Sequence, residues 1–436
     1  MAWKFFKAST LCGSSAAARS QSKPQQPTAR LFLFMDNLWH RTLHRLIRVS
    51  YFDRVTVRHA ERLPDPGPIL YIGLHRNGAV DGFTYKSICT RAVFMVAKQL
   101  RRSPIGCFFF SGIEVARDKD GDPAAAAINA AAMKECAKRL HDGGELFIFP
   151  EGTSALGPRH LPFKSGAARL IEQHLAIGAP LTVVPLGIFY ESPTSFRARV
   201  ELVVGEPLRT DLPANLSQPA RVRELKQRIT AALENVGVNV PDAETLAQIE
   251  RLACIATLGT GRSFAATQKQ LERGVPPAVE AAWRELEPVL TQHPLWLHQG
   301  VPLFPMSSLI VYALLLIPTG LLALLGVVLN LPPLAAAAWA GRKFPDDRNV
   351  VLLWKVLVGV PAFLLWAGTL LVAAAVSGHW LWLAVWLAAT AVSTQLWYRV
   401  KKLAVVVHNG LRFPGLRARM LAFRELVLKE VRDEPA

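Results

Sequence analysis

Residues 305–341 contain no charged side chain, and after the short segment RKFPDDRN, residues 350–398 carry only one fixed charge, Lys355. Stretches this apolar do not belong to a water-soluble domain, because a bilayer span needs about 20 consecutive apolar residues and both exceed that. Pro318-Thr319-Gly320 interrupts the first stretch, which then holds either one span with a half-helix or two short spans. The second is long enough for two spans divided near Ser377-Gly378-His379. The loop GRKFPDDRN and the segment YRVKKL are both basic, and short basic loops stay on the cytoplasmic side. Two hairpins place both on the side of the basic N-terminal part, whereas three crossings would carry the basic C-terminal tail across. Residues 301–400 are therefore expected to form a transmembrane region of four spans. With almost no ionisable residue inside, these spans read as an anchor rather than a transport path. Trp339, Trp380, Trp382 and Trp397 read as interfacial anchors.

The formal net charge of +17 calls for an anionic partner. Nucleic acid and acidic lipid headgroups are the usual candidates. The apolar stretches favour lipid, and no recognition helix or aromatic platform suggests nucleic acid. Cys12, Cys89, Cys107, Cys136 and Cys254 are widely spaced without a CxxC pair, which speaks for a reducing compartment and against a disulfide frame or zinc site. Residues 1–30 contain no Asp or Glu and read as a disordered basic tail, with a cleaved transit peptide as the alternative. In residues 31–53, Leu38, Trp39, Leu43, Leu46 and Ile47 fall at helical spacing, with Arg41, His44, Arg45 and Arg48 on the other face. This is an amphipathic helix suited to a membrane interface or to packing on the next domain.

From 54 to 215, short apolar runs alternate with helical stretches. Strands are expected over 55–58, 69–74, 92–96, 112–116, 145–149, 181–188 and 200–204, with the alanine-rich 124–140 as a helix between two of them. The pattern is that of an α/β domain with a mixed, largely buried sheet and flanking helices. Residues 216–300 read as a helical region and 401–436 as a basic cytoplasmic tail.

Four strand ends carry candidate chemistry, and strand ends are where α/β sheets bind ligands. In GLHRNGAVDGF, His75 can act as a general base, and Asp81 can orient its ring if the chain turns tightly at Gly78. GIEVARD delivers Arg117. In FIFPEGTSALGPRHLPFKSGAARL, Glu151 can accept hydrogen bonds from a polyol. The backbone near Gly152 and Thr153 can bind an anion, and Lys164 or Arg159 can neutralise a phosphate. VVPLGIFY adds an apolar wall. His59, His160 and His174 have no carboxylate in a comparable motif and read as surface or loop residues.

The order and wording of these four blocks over residues 50–210 resemble the glycerolipid acyltransferases, the lysophosphatidate acyltransferase or PlsC-like group. The resemblance implies that His75 is the catalytic base and Asp81 its partner, and that Arg117, Glu151 and Gly152 hold a phosphate-bearing acceptor. Lys98, ahead of Pro104-Ile105-Gly106, is similar to a family lysine. Five residues separate His75 from Asp81 where the family usually has four. The form H-x-N-x-x-x-D, with Asn77 in place, resembles the branch that includes yeast-type glycerol-3-phosphate and dihydroxyacetone-phosphate acyltransferases, as does the pattern from Pro150 to Arg169. Ser154 replaces the arginine that commonly follows the third block.

The resemblance implies a membrane-bound O-acyltransferase with its catalytic domain on the cytoplasmic face. It would transfer a fatty acyl group from acyl-CoA or acyl carrier protein (acyl-ACP) to glycerol 3-phosphate or 1-acylglycerol 3-phosphate. Membrane lipids are the other expected partners, and no metal or cofactor beyond the co-substrate is implied. The rivals are acylation of another lysolipid and a catalytically decayed scaffold.

Overall fold

A computed structural model describes residues 27–117, 120–213 and 215–431, with side chains from residue 38 onward. Of the expected basic tail, residues 1–26 lie outside the described residues. Seven strands form one sheet: β1 (Arg54–Arg58), β2 (Ile69–Gly73), β3 (Val93–Ala97), β4 (Ile113–Val115), β5 (Glu145–Ile148), β6 (Thr182–Tyr190) and β7 (Arg199–Val204). Their order is β1-β7-β6-β2-β5-β3-β4, and every neighbouring pair is parallel except β6 and β7. Each strand falls on a run expected from the sequence, with ends moved by at most two residues.

The central strand β2 is buried at every position, as its unbroken apolar sequence requires. Ile69 and Tyr71 face one layer, Leu70 and Ile72 the other. The first layer is α1 (Pro27–Tyr51), α2 (Val80–Tyr85) and α3 (Pro104–Phe109); the second is α4 (Ala125–His141), α5 (Gly166–Ala176) and α6 (Gln218–Asn235). Helix α4 buries Ala132, Cys136 and Leu140, a four-residue spacing that gives one apolar stripe. In α1 the apolar residues divide between two faces: Leu43 and Ile47 pack inward, while Leu38, Trp39, Leu46 and Val49 stay exposed. His44, expected on the polar face, is buried beside Phe83 because it follows Leu43 around the inward stripe.

Leu225, Ile229 and Leu233 of α6 pack against the sheet, so the α/β layer extends past the boundary expected at 215. A separate core forms from α7 (Ala243–Thr257), α8 (Phe264–Leu271), α9 (Pro277–Thr291) and α14 (Leu416–Glu430). Residues 401–430, read from the sequence as a tail, therefore belong to helices: the end of α13 (Trp380–Arg412) and then α14, which buries Met420 and Phe423 in this core.

The apolar region holds α10 (Leu309–Leu329), α11 (Leu331–Lys343), α12 (Val351–Ser377) and the first part of α13. Two segments, Leu309–Leu329 and Arg348–Ser377, are long and apolar enough to cross a membrane. Helix α11, at about 20 Å, is shorter than a bilayer core of about 30 Å. Pro318 does not break α10, which runs through it; the break falls at Asn330, whose side chain donates to the Gly326 carbonyl and to Thr390 Oγ1. Helix α10 packs along α13 and α11 along α12. Small residues allow the approach, with Gly326 against Ser393 and Gly359 against Ala337.

Candidate active site

Strand β2 ends at Gly73, and the next two residues lead into a loop that folds around one carboxylate. Asp81 Oδ2 accepts from His75 Nδ1 at 2.9 Å and from the backbone N–H groups of Arg76 at 2.6 Å and Asn77 at 2.8 Å. Its Oδ1 accepts from the Tyr190 hydroxyl at 2.5 Å. Asp81 has no exposed surface, and a buried carboxylate persists only when its lone pairs are met in this way. Gly78 supplies the left-handed turn, with φ at 56°. The longer spacer is thus taken up by the loop wrapping Asp81, and the histidine and aspartate meet.

The other ring nitrogen of His75 has no hydrogen-bond partner among the described residues, and the ring lines a cavity of about 740 Å³. Phe149 stacks on the imidazole, with centroids 4.0 Å apart and planes 19° from parallel. The ring is therefore fixed by a hydrogen bond at its edge and an aromatic on its face.

Glu151 sits just past the end of β5 and reaches back to hold this loop. Its Oε1 accepts the His75 backbone N–H at 2.8 Å and its Oε2 that of Leu161 at 3.1 Å. It is only 2% exposed, does not line the cavity, and burial pushes its carboxyl above the ordinary value against those two hydrogen bonds. Its geometry is that of a brace between the first and third motifs.

Gly152, Thr153, Lys164 and Arg117 all line the His75 cavity. Gly152 has φ at 72°, a left-handed conformation that favours glycine, and a Cβ there would lie 3.0 Å from Lys164 Cε. Arg117 is forked onto Asp120, through Nε at 3.1 Å and Nη2 at 3.0 Å, and also donates to Gln99 Oε1 at 3.0 Å. Lys98 and Arg159 do not line the cavity. Lys98 pairs with Asp122 at 3.1 Å, and Arg159 Nε donates to the Val240 carbonyl at 3.2 Å.

The cavity lining is of mixed chemistry. Phe94, Val96, Leu100, Phe110, Met133 and Ile148 contribute apolar surface; Arg117, Asn129, Thr153, Ser154 and Lys164 contribute polar and cationic groups. Lys86, lining it too, is pushed down to about 8 by burial, and His44 is pushed down to about 4 by the same cause. Asp347, Asn349, Val350 and Leu353 complete the wall from the start of α12, a contribution that sequence reading missed. It also missed Tyr190 and Phe149, which stood in plain sight inside apolar strand runs.

His174, read as a surface or loop residue, is buried in α5, where its Nε2 lies 3.1 Å from the Pro180 carbonyl. No residue of VVPLGIFY, expected to wall the candidate site, lines the cavity at His75. Pro185 and Phe189 of that run instead line a cavity of about 720 Å³ between β1, β7, α6 and α8. Its Arg58, Arg62, Arg228 and Lys269 are all ion-paired within the chain. Among the described residues no group of three or more His, Cys, Asp or Glu is arranged to hold a metal.

Residues 54–189 match the family model described as Acyltransferase. Glycerol-3-phosphate O-acyltransferase 2 of Saccharomyces cerevisiae is 34% identical over 128 residues, which is 28% of this chain and 17% of that protein. The 1-acyl-sn-glycerol-3-phosphate acyltransferase of Helicobacter pylori is 34% identical over 100 residues, 22% of this chain and 40% of that one. The crystal structure of PlsC from Thermotoga maritima aligns over 49% of this chain and 83% of its own, with a TM-score of 0.34 and 16% identity. The chain thus spans less than half the length of the curated relatives it matches.

Proposed function

We propose, from the premise that residues 54–189 are an acyltransferase-family domain, that the whole chain is a membrane-bound glycerolipid O-acyltransferase. It would move a fatty acyl group from a thioester, acyl-CoA or acyl-ACP, to a hydroxyl of glycerol 3-phosphate or 1-acylglycerol 3-phosphate. The observation that carries this reading is the 2.9 Å bond from His75 to Asp81 beside a cavity lined by both apolar and cationic side chains.

In the reaction, His75 Nε2 takes the proton of the acceptor hydroxyl as its oxygen bonds to the thioester carbonyl carbon. Asp81 holds the ring in the tautomer with the proton on Nδ1 and stabilises the imidazolium. When the carbon–sulfur bond breaks, the imidazolium returns the proton to the leaving thiolate, and base and charge are restored. No covalent enzyme intermediate is needed. The apolar lining residues suit the acyl chain, and Arg117 and Lys164 suit the acceptor phosphate.

Two rivals differ by observable behaviour. Acylation of another lysolipid leaves the histidine–aspartate pair unchanged and alters only the acceptor. A decayed scaffold has no use for a carboxylate held by four donors, and that arrangement favours an enzyme. The membrane-bound state is supported by the exposed apolar surfaces of α10 and α12, and the cytoplasmic placement by the basic loops.

The test is thiol release from acyl-CoA by the full chain purified in detergent. Glycerol 3-phosphate, lysophosphatidate and dihydroxyacetone phosphate are offered separately, with His75→Ala in parallel. Release that needs one acceptor and is lost in the variant supports the proposal. Equal slow release from both proteins with every acceptor leaves the scaffold.

A further inference from the structure

The segment joining α11 to α12 lies outside the acyltransferase match, yet it reaches both loops that build the site. Asn349 is buried, and its side-chain amide donates to the Ser154 carbonyl at 2.6 Å and hydroxyl at 3.0 Å. Its own carbonyl oxygen closes on Gly78: a Cβ there would stand 2.9 Å from it. Ser154 is one residue from Ala155, whose N–H donates to the His75 carbonyl at 3.0 Å. Just over a turn into α12, Lys355 donates to the Thr194 carbonyl at 2.9 Å, next to Pro193, whose carbonyl accepts from Asn77 at 2.7 Å. Leu352, Leu353 and Val356 fix this turn by joining the core that holds Phe83 and Phe110.

We propose that Asn349 is a positioning residue for acyl transfer, coupling the apolar helix α12 to the His75 and Ser154 loops. An asparagine suits the place because it brings donors without charge. An aspartate of the same shape turns an acceptor toward the Ser154 carbonyl and breaks the link while filling the same volume. Because the two loops are bonded directly to each other, Ala155 N–H to the His75 carbonyl, loosening one changes where the acceptor hydroxyl meets His75. The catalytic domain alone, cut before α10, then lacks part of its own active-site wall. The inference rests on the acyl-transfer reading for its kinetic readout only.

The experiment compares the full chain with Asn349→Asp, and with Asn349→Ala should the first fail to fold. Acyl-transfer kinetics and hydrogen exchange by mass spectrometry are read together. The expected result is a fall in kcat of about tenfold or more, KM for both substrates within about threefold of wild type, and faster amide exchange confined to residues 75–82 and 152–156. Unchanged kcat with unchanged loop exchange overturns the proposal, as does exchange that rises equally through β2 and β5, the mark of a merely destabilised fold. If wild type transfers no acyl group, the functional reading fails, and loop exchange alone still decides whether Asn349 holds the loops.

Discussion

Tyr190, the last residue of β6, donates its hydroxyl to Asp81 at 2.5 Å, so the fourth sequence motif completes the ring of donors begun by the first. Tyr190→Phe removes one donor from a fully buried anion, at an expected cost of about 1.5–3 kcal/mol in stability. The remaining three donors still hold the carboxylate in place, so kcat should fall by only about tenfold. Asp81→Asn is more severe. It leaves a single acceptor oxygen among four donors and no longer dictates the imidazole tautomer, so kcat should fall by about 10³- to 10⁴-fold. Steady-state kinetics beside thermal unfolding separates the two variants.

His75→Ala removes the base while sparing the Glu151 brace, which grips the backbone of residue 75 rather than its ring. A loss of about 10²- to 10⁴-fold in kcat is expected, with KM values near wild type. A fold preserved by circular dichroism together with undiminished kcat would remove His75 from the chemistry.

Arg117, which lines the cavity, is held by Asp120 and Gln99. Arg117→Ala should raise KM for a phosphate-bearing acceptor about 10- to 100-fold, the worth of a charge-assisted hydrogen bond, and leave KM for the acyl donor little changed. Measuring both constants on the same preparation checks this. An effect on kcat alone would move Arg117 to a different role.

Glu191 receives hydrogen bonds from His298 at 3.0 Å, Tyr398 Oη at 2.9 Å and Lys402 at 2.8 Å, joining β6 to the helical core and to α13. Burial acts to raise its carboxyl, but the hydrogen bond from His298 and the charge of Lys402 outweigh it and hold the group well below its ordinary value of 4.5. A folded-state value below the unfolded one means stability that is present above about pH 4.5 and lost as pH falls further. Wild type should exceed Glu191→Gln by about 3–5 kcal/mol near neutrality. That gap should narrow as unfolding is repeated from about pH 7 down to about pH 3. A gap independent of pH would show that packing, not charge, holds the junction.

The strands were legible because their apolar runs are short and bounded by turns, and because β2 and β5 are buried on both faces. The pair His75 and Asp81 was legible as a motif, and Gly78 as the turn that would let them meet, but the backbone N–H groups of Arg76 and Asn77 that also hold Asp81 were not, since no residue type announces them. Glu151 illustrates the opposite limit. Its side chain suggests ligand binding, yet both of its oxygens are engaged by the backbone, a matter of loop geometry. Asn349 lay beyond reach because nothing in RKFPDDRN reveals which surface it will touch. The tail was misread for a similar reason: Leu416, Met420, Phe423 and Val427 mark one face of a helix, but its partner, α7 to α9, lies far upstream.

That long return gives synthesis an order. A ribosome releases α7, α8 and α9 before the apolar helices emerge, and α14 only after them. The three early helices keep an open face until the apolar helices have been made and the chain has come back. Losing α14 therefore uncovers the shared interior of three other helices rather than trimming a loose end.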